Sequence, residues 1–413
     1  MEGNQEFDAA AAELDVPFKR TGKLIAGFTD EDRQLLENFK ARGEANGVKG
    51  LEIIDRKRMD ELDPSAGGNF AMWCPASGIL DPFLYTIALA ENAVRNGVEY
   101  HLNCAFTGET KQADGTHLLH TTRGDFLTRW VVNSAGLSSA EVSTQLGIPG
   151  YVIKPVKGEY FVLDKLAGQF ARIPVYPAPN RDNTFDTHAT PTVDGNVFAG
   201  PTAVNVNDKE DTSVDANLSE ELATLALEAT PTLNLRNTIR AFAGLRAQPS
   251  TGDFIITSSE KDARMIHAAG ICSPGLTSAP AIAEQVEEEL RITGLVMDEK
   301  AQFNPYRKHI PVFRTMTEAE RRRAIAENPL YGRVICRCEN VTEAEIVEAV
   351  RRGARTVDGV KRRTRAGMGR CQGGFCTPRV MEIIAREAEI PEEKITKAGG
   401  NSYMVAGKTR GEV

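Results

Sequence analysis

Apolar positions recur at helical spacing across residues 1–47, at Phe7, Leu14, Leu35, Leu36 and Phe39, and are interrupted by a strand-like run, Gly22-Lys23-Leu24-Ile25-Ala26-Gly27-Phe28. Asp81-Pro82 opens an Ala-, Leu- and Ile-rich stretch that stops at Asn96-Gly97, which predicts a capped helix followed by a strand over 98–102. Alternating runs at 115–122 and 126–132 predict strands, the second leading into the small-residue turn Asn133-Ser134-Ala135-Gly136 and a helix over 139–146. From 151 to 256 short β-type runs dominate, among them 160–163, 196–199 and 254–257, with one helix near 219–227. This predicts a mixed sheet forming a second lobe. A strand over 265–269, a loop over 270–277 and an amphipathic helix over 279–290 follow. Pro305, Pro311 and Pro329, with a basic helix over 318–326, mark 301–330 as a connector.

Length and composition narrow the class. A chain of 413 residues has room for two or three domains, and no apolar run approaches the roughly 18 residues that span a bilayer. The first residues lack the basic-then-apolar pattern of a secretory signal, so a cytoplasmic location is expected. A net charge of −8 argues against general nucleic-acid binding, yet the stretch from Arg351 to Arg379 is locally basic.

Four of the seven cysteines fall close together, as Cys336-x-Cys338 and Cys371-x4-Cys376, while Cys74, Cys104 and Cys272 are scattered. In a reducing compartment such clustering points to metal rather than to disulfides. Four thiolates are the usual complement of a [2Fe–2S] centre. Structural zinc is the first rival, although the one-residue spacing of the first pair departs from the usual Cys-x(2–4)-Cys, and buried unliganded thiols are the second. Gly367, Gly369, Gly373 and Gly374 let backbone N–H groups approach the sulfurs, and Arg362, Arg363, Arg365 and Arg370 are expected to offset the charge of a thiolate-ligated cluster.

The string Val334-Ile335-Cys336-Arg337-Cys338-Glu339, with Arg363 to Gly373 and Cys376, resembles the bacterioferritin-associated ferredoxin-type domain. The same string is similar to the C-terminal domain of the large subunits of anaerobic, FAD-dependent glycerol-3-phosphate dehydrogenases. In the body, Trp130 to Gly136 and Ala268 to Pro280 resemble the flavin-contacting segments of the D-amino-acid-oxidase-like superfamily. Pro155-Val156-Lys157-Gly158-Glu159, Tyr176-Pro177, His188, Gly200-Pro201 and Gly244-Leu245-Arg246 resemble the substrate lobe of its glycerol-3-phosphate and L-2-hydroxyglutarate members.

The resemblance implies an α/β and α+β fold: an FAD-dependent body over 1–300, with a Rossmann-like FAD lobe that is incomplete here and a mixed-sheet substrate lobe near 151–256. A connector at 301–330, a small helical [2Fe–2S] domain at 331–388 and a tail at 389–413 complete it; residues 395–413 carry no pattern of their own and are expected to be loosely ordered. It implies that Ser134, Ala135, Gly136, Gly270, Pro274, Gly275, Leu276 and Thr277 contact FAD, the last five at a helix start that would stabilise charge developing on the reduced flavin. His188 is the candidate base for a substrate hydroxyl and Arg246 the candidate anchor for a substrate anion. The expected reaction oxidises a small anionic 2-hydroxy compound, glycerol 3-phosphate first and 2-hydroxyglutarate second; the alternative from another class is a non-enzymatic iron–sulfur electron-transfer module on a degenerate flavoprotein body. Electrons would leave through the cluster to an acceptor protein or partner subunit, through which membrane association would be peripheral. The loop 274–277 lacks a lysine often found there in the glycerol-3-phosphate enzymes, which weakens the expectation of a phosphate. The G-x-G-x-x-G turn of such proteins is absent, and Gly367-Met368-Gly369-Arg370-Cys371-Gln372 fails at its last position. The expectation is therefore that an upstream βαβ unit is missing and that the chain alone holds FAD weakly and has little activity.

Overall fold

The computed structural model describes residues 1–179 and 187–407. Two compact units make up the chain: residues 1–11, 18–79 and 98–303 in the first, and 12–17, 80–97 and 304–413 in the second.

The first unit is built on a mixed sheet, nine-stranded among the described residues. The strand Lys23–Gly27 shows why the chain is extended there. Leu24 and Ala26 pack on one face with Met59, Ile173 and Val175, while Ile25 packs on the other with Leu36, Phe70 and Met72. A two-residue period with both faces buried is what a central strand requires. It pairs in parallel with Val175–Pro177 and antiparallel with Phe70–Cys74, so the mixed sheet extends well beyond 151–256. Ile153–Leu163 and Thr238–Pro249 form a long antiparallel pair that sets Val156 opposite Arg246 and Gly158 opposite Gly244. A smaller sheet holds Val131–Asn133 parallel to the wholly buried strand Met265–Ala269, which the helix Gly275–Ile292 follows.

The second unit has its own core. The helices Glu343–Arg351, Val357–Thr364 and Thr377–Ala388 enclose Ile346, Val350, Val360, Val380 and Ile384. It also takes in the helix Pro82–Arg95, where the Asp81 carboxylate accepts from the N–H groups of Phe83 and Leu84. That helix presents Glu91 to Arg307, at 2.7 Å, and to Arg363, at 3.5 Å.

Two expectations are corrected. Residues 98–102 form no strand: Val98, Tyr100 and Leu102 alternate but are exposed, with no partner strand against which the alternation could act. The segment after 394 is not loose, because Ile395 is buried in the core of the second unit, Met404 packs on it, and Thr396 bridges to Tyr403. Residues 408–413 of that tail lie outside the described residues. Among the described residues no helix is long and apolar enough to cross a membrane.

Candidate active site

The two expected flavin segments leave one edge of one sheet. Ile266 lies beside Val132 and His267 beside Asn133 in parallel register, so both strands end together, one at 134–136 and the other at 270–277. The carboxyl ends of parallel strands are where α/β folds place ligands. Asn133 shapes the first turn by donating to the Ser139 carbonyl at 2.8 Å and accepting from the Ala135 N–H at 3.3 Å. Ser134, Ala135 and Gly136 are left exposed. Gly270 sits at φ +65, where a Cβ would meet the Pro249 ring at 2.6 Å, so only glycine lets the second loop turn here. The helix begins at Gly275, earlier than the expected 279, so its first-turn N–H groups at Leu276 and Thr277 have no intrahelical acceptor. The residues therefore suit the anionic side of a bound flavin: a glycine-shaped loop and a helix start at one sheet edge.

His188 and Arg246 come together, and sequence reasoning missed what joins them. The imidazole stacks on Tyr176 with ring centroids 4.0 Å apart, and its Nδ1 is 2.8 Å from Thr190 Oγ1. Lys23 lies over the other ring of that stack, its Nζ 5.1 Å from the Tyr176 centroid. Burial, then the Lys23 and Arg246 charges, push the His188 pKa down to about 3, so the ring is neutral near pH 7. Burial also lowers the Lys23 pKa, against the pull of Cys74. It raises the Tyr160 hydroxyl, which hydrogen-bonds Arg246, and pushes Tyr176 up to about 12. Gly158 makes room for the Arg246 guanidinium, since a Cβ there would lie 2.7 Å from Nη2. Arg246 also acts electrostatically on Cys272, which ties this group to the loop 270–277. Two basic side chains beside a neutral imidazole and two tyrosines are an arrangement able to receive an anion. The signal available in the sequence was a lysine heading an otherwise buried strand.

In the second unit the four clustered cysteines converge as two pairs. Cys338 and Cys371 have their sulfurs 3.4 Å apart, and Cys336 hydrogen-bonds Cys376. Cys336 and Cys376 are buried, Cys338 is exposed and Cys371 half-buried. The hydrogen bond from Cys376 brings the Cys336 thiol down to about 6, and N–H groups of Gly367 and Glu339 assist. Burial opposes ionisation of Cys371, but Cys338 and the N–H groups of Phe375, Gly373 and Gly374 outweigh it. At Gly369 a Cβ would sit 2.4 Å from that of Cys338, so the loop closes only with glycine. Soft thiolates with N–H groups aimed at them are the donor set of an iron–sulfur cluster. Among the described residues no three His, Cys, Asp or Glu converge on one ion position.

The arginines near the thiols also make contacts of their own. Arg363 faces Glu91, Arg365 lies 2.9 Å from the buried Glu339, and Arg362 stacks over Phe83 at 5.0 Å. Glu339 also binds Arg314 at 3.0 Å, which locks the loop behind Cys338.

Residues 1–289 match the family described as FAD dependent oxidoreductase, and residues 334–386 match the BFD-like [2Fe-2S] binding domain. The chain belongs to the FAD dependent oxidoreductase family. A "Glycerol 3-phosphate dehydrogenase" of Caloramator mitchellensis is 40% identical over 415 residues, spanning 100% of this chain and 86% of that protein. An "L-2-hydroxyglutarate dehydrogenase, mitochondrial" of Caenorhabditis elegans is 26% identical over 66% of this chain and 74% of its own length. Among solved structures, the FAD-bound L-alpha-glycerophosphate oxidase of Mycoplasma pneumoniae superposes with a TM-score of 0.70 at 26% identity, over 74% of this chain and 81% of that one. As a family member, the chain has an oxidoreductase body followed by a small helical region matching the BFD-like domain, as the motifs at 268–280 and 334–376 led one to expect.

Proposed function

We propose that this chain is a glycerol 3-phosphate dehydrogenase that uses FAD and passes electrons through a [2Fe–2S] cluster to an acceptor protein. The observation that carries the reading is the pairing of Lys23 and Arg246 beside neutral His188, supported by the 40% identity to the Caloramator protein over the whole chain. Two basic side chains, one of them an always-charged guanidinium, suit a phosphate dianion, and they answer the missing loop lysine.

The flavin supplies the hydride acceptor when bound; the residues of this chain do the rest. Arg246 and Lys23 hold the phosphate and so set the position of the carbon chain. His188, neutral when free, accepts the hydroxyl proton; burial and, after it, the charges of Lys23 and Arg246 hold its pKa low, and the bound dianion offsets the share of the two cations. Tyr176 fixes the plane of that imidazole. Ser134, Ala135 and Gly136 line one side of the flavin site and Gly270, Pro274, Gly275, Leu276 and Thr277 the other, where the helix start favours negative charge. Cys336 and Cys376 would hold one iron and Cys338 and Cys371 the other.

Anaerobically purified protein tests the reading in one sample. Iron, sulfide and flavin are quantified, and dye reduction is measured with glycerol 3-phosphate and with L-2-hydroxyglutarate. Turnover of the phosphate at the lower KM is expected. Turnover of L-2-hydroxyglutarate alone would overturn the substrate assignment, and zinc without sulfide would overturn the cluster.

A further inference from the structure

The two thiol pairs are not equivalent toward solvent. Cys336 and Cys376 are buried, whereas Cys338 is exposed and Cys371 half-buried, so a centre held by all four would have one side open. Phe375 stands beside that side: its backbone N–H reaches the Cys371 sulfur, while its side chain is 85% exposed. An aromatic ring left so exposed beside a redox site is a typical apolar anchor of a protein contact.

Charge frames it. Arg337, between Cys336 and Cys338, is exposed, as are Arg370, next to Cys371, and Arg379, one helical turn beyond Phe375. Among the described residues, Arg337 and Arg379 make no ion pair or hydrogen bond, and Arg379 stays apart from the exposed Glu382 three residues on. The acid that follows Cys338 in the chain, Glu339, is buried and paired with Arg314 and Arg365. The face is therefore basic around an apolar knob on a chain whose net charge is −8, so it differs in sign from the molecule as a whole.

We propose that this face, with Phe375 as its apolar contact and Arg337, Arg370 and Arg379 as its rim, is the docking surface for an electron-accepting protein with an acidic face. The proposal rests on the cluster reading above. Arginines on the rim steer an acidic partner and raise its rate of encounter, and the ring holds it against the exposed thiol pair, where an electron has the shortest way out.

The test uses the full chain with its cluster in place, reduced with dithionite, and an acidic flavodoxin as the acceptor probe in stopped flow. Iron, sulfide and the optical spectrum are recorded first. The second-order rate is expected to fall about tenfold from low to high ionic strength. The double variant Arg337→Glu with Arg379→Glu should lose about tenfold at low salt and most of the salt dependence. Phe375→Ala should slow transfer several-fold at both salts while keeping the salt dependence, the iron, the sulfide and the spectrum. Variants that match the unaltered chain in rate and salt dependence overturn the proposal. So does binding to phosphatidylglycerol vesicles that depends on these residues while flavodoxin reduction does not, which would assign the face to a lipid surface. A chain with neither iron nor sulfide fails earlier, in the metal analysis, and removes the cluster reading itself.

Discussion

His188 carries a pH dependence whose sign follows from its surroundings. Its pKa falls from 6.5 to about 3 on folding, so between these values the unfolded chain holds a proton that the folded chain does not. Stability from this residue is complete above pH 6.5 and is lost as pH drops towards about 3. Chemical denaturation at acid and neutral pH should show a smaller difference for His188→Asn than for the unaltered chain. For Arg246, truncation to alanine is expected to raise the KM for glycerol 3-phosphate by about 10- to 100-fold with a smaller change in kcat, and lysine should restore part of it. Steady-state kinetics separates the two. Residues such as His188 and Arg246 were legible as chemistry, because imidazole and guanidinium advertise it. Lys23 was not: 164 positions lie between Lys23 and His188, and only the parallel pairing of 24–26 with 175–177 brings its strand beside Tyr176.

Elements were legible where local pattern decides them and illegible where a distant partner does. Met265–Ala269 and the cap at Asp81 could be read directly, since burial on both faces and a carboxylate before proline are local statements. Residues 98–102 alternate as a strand would, yet no partner lies alongside. The loop at 270–277 depends on one backbone angle. Gly270→Ala places a Cβ against Pro249 at φ +65 and should cost about 1–3 kcal/mol. The urea midpoint should fall accordingly, with flavin content measured alongside. The cluster loops are equally exacting but through their ligands: Cys371→Ser or Cys376→Ser should bring iron and sulfide well below the roughly two each expected of an intact [2Fe–2S] centre. Spacing alone disclosed this foursome, whereas its division into a buried and an exposed pair needed the fold.

At the scale of the molecule, the basic run that looked like compensation for a cluster turns out partly to serve Glu91. This carboxylate, on a helix from the first quarter of the chain, meets Arg307 and Arg363 within the second unit, and Arg352 stands at 3.7 Å while keeping Glu348 at 2.8 Å. Removing one partner of a buried pair leaves uncompensated charge, so Glu91→Ala should destabilise by about 3–5 kcal/mol, read as a lowered denaturation midpoint of the second unit. The stretch 331–388 foretold the helical part of that unit but not its full extent, because further pieces come from 12–17 and 80–97. Its discontinuity sets a timetable on the ribosome. Roughly two hundred residues separate Gly97 from Asn304. At ~5–20 residues per second the helix Pro82–Arg95 waits about 10–40 s for the segment it folds with. During that interval its apolar face is a natural chaperone client, and a gene split before residue 304 would separate the two parts of one compact unit.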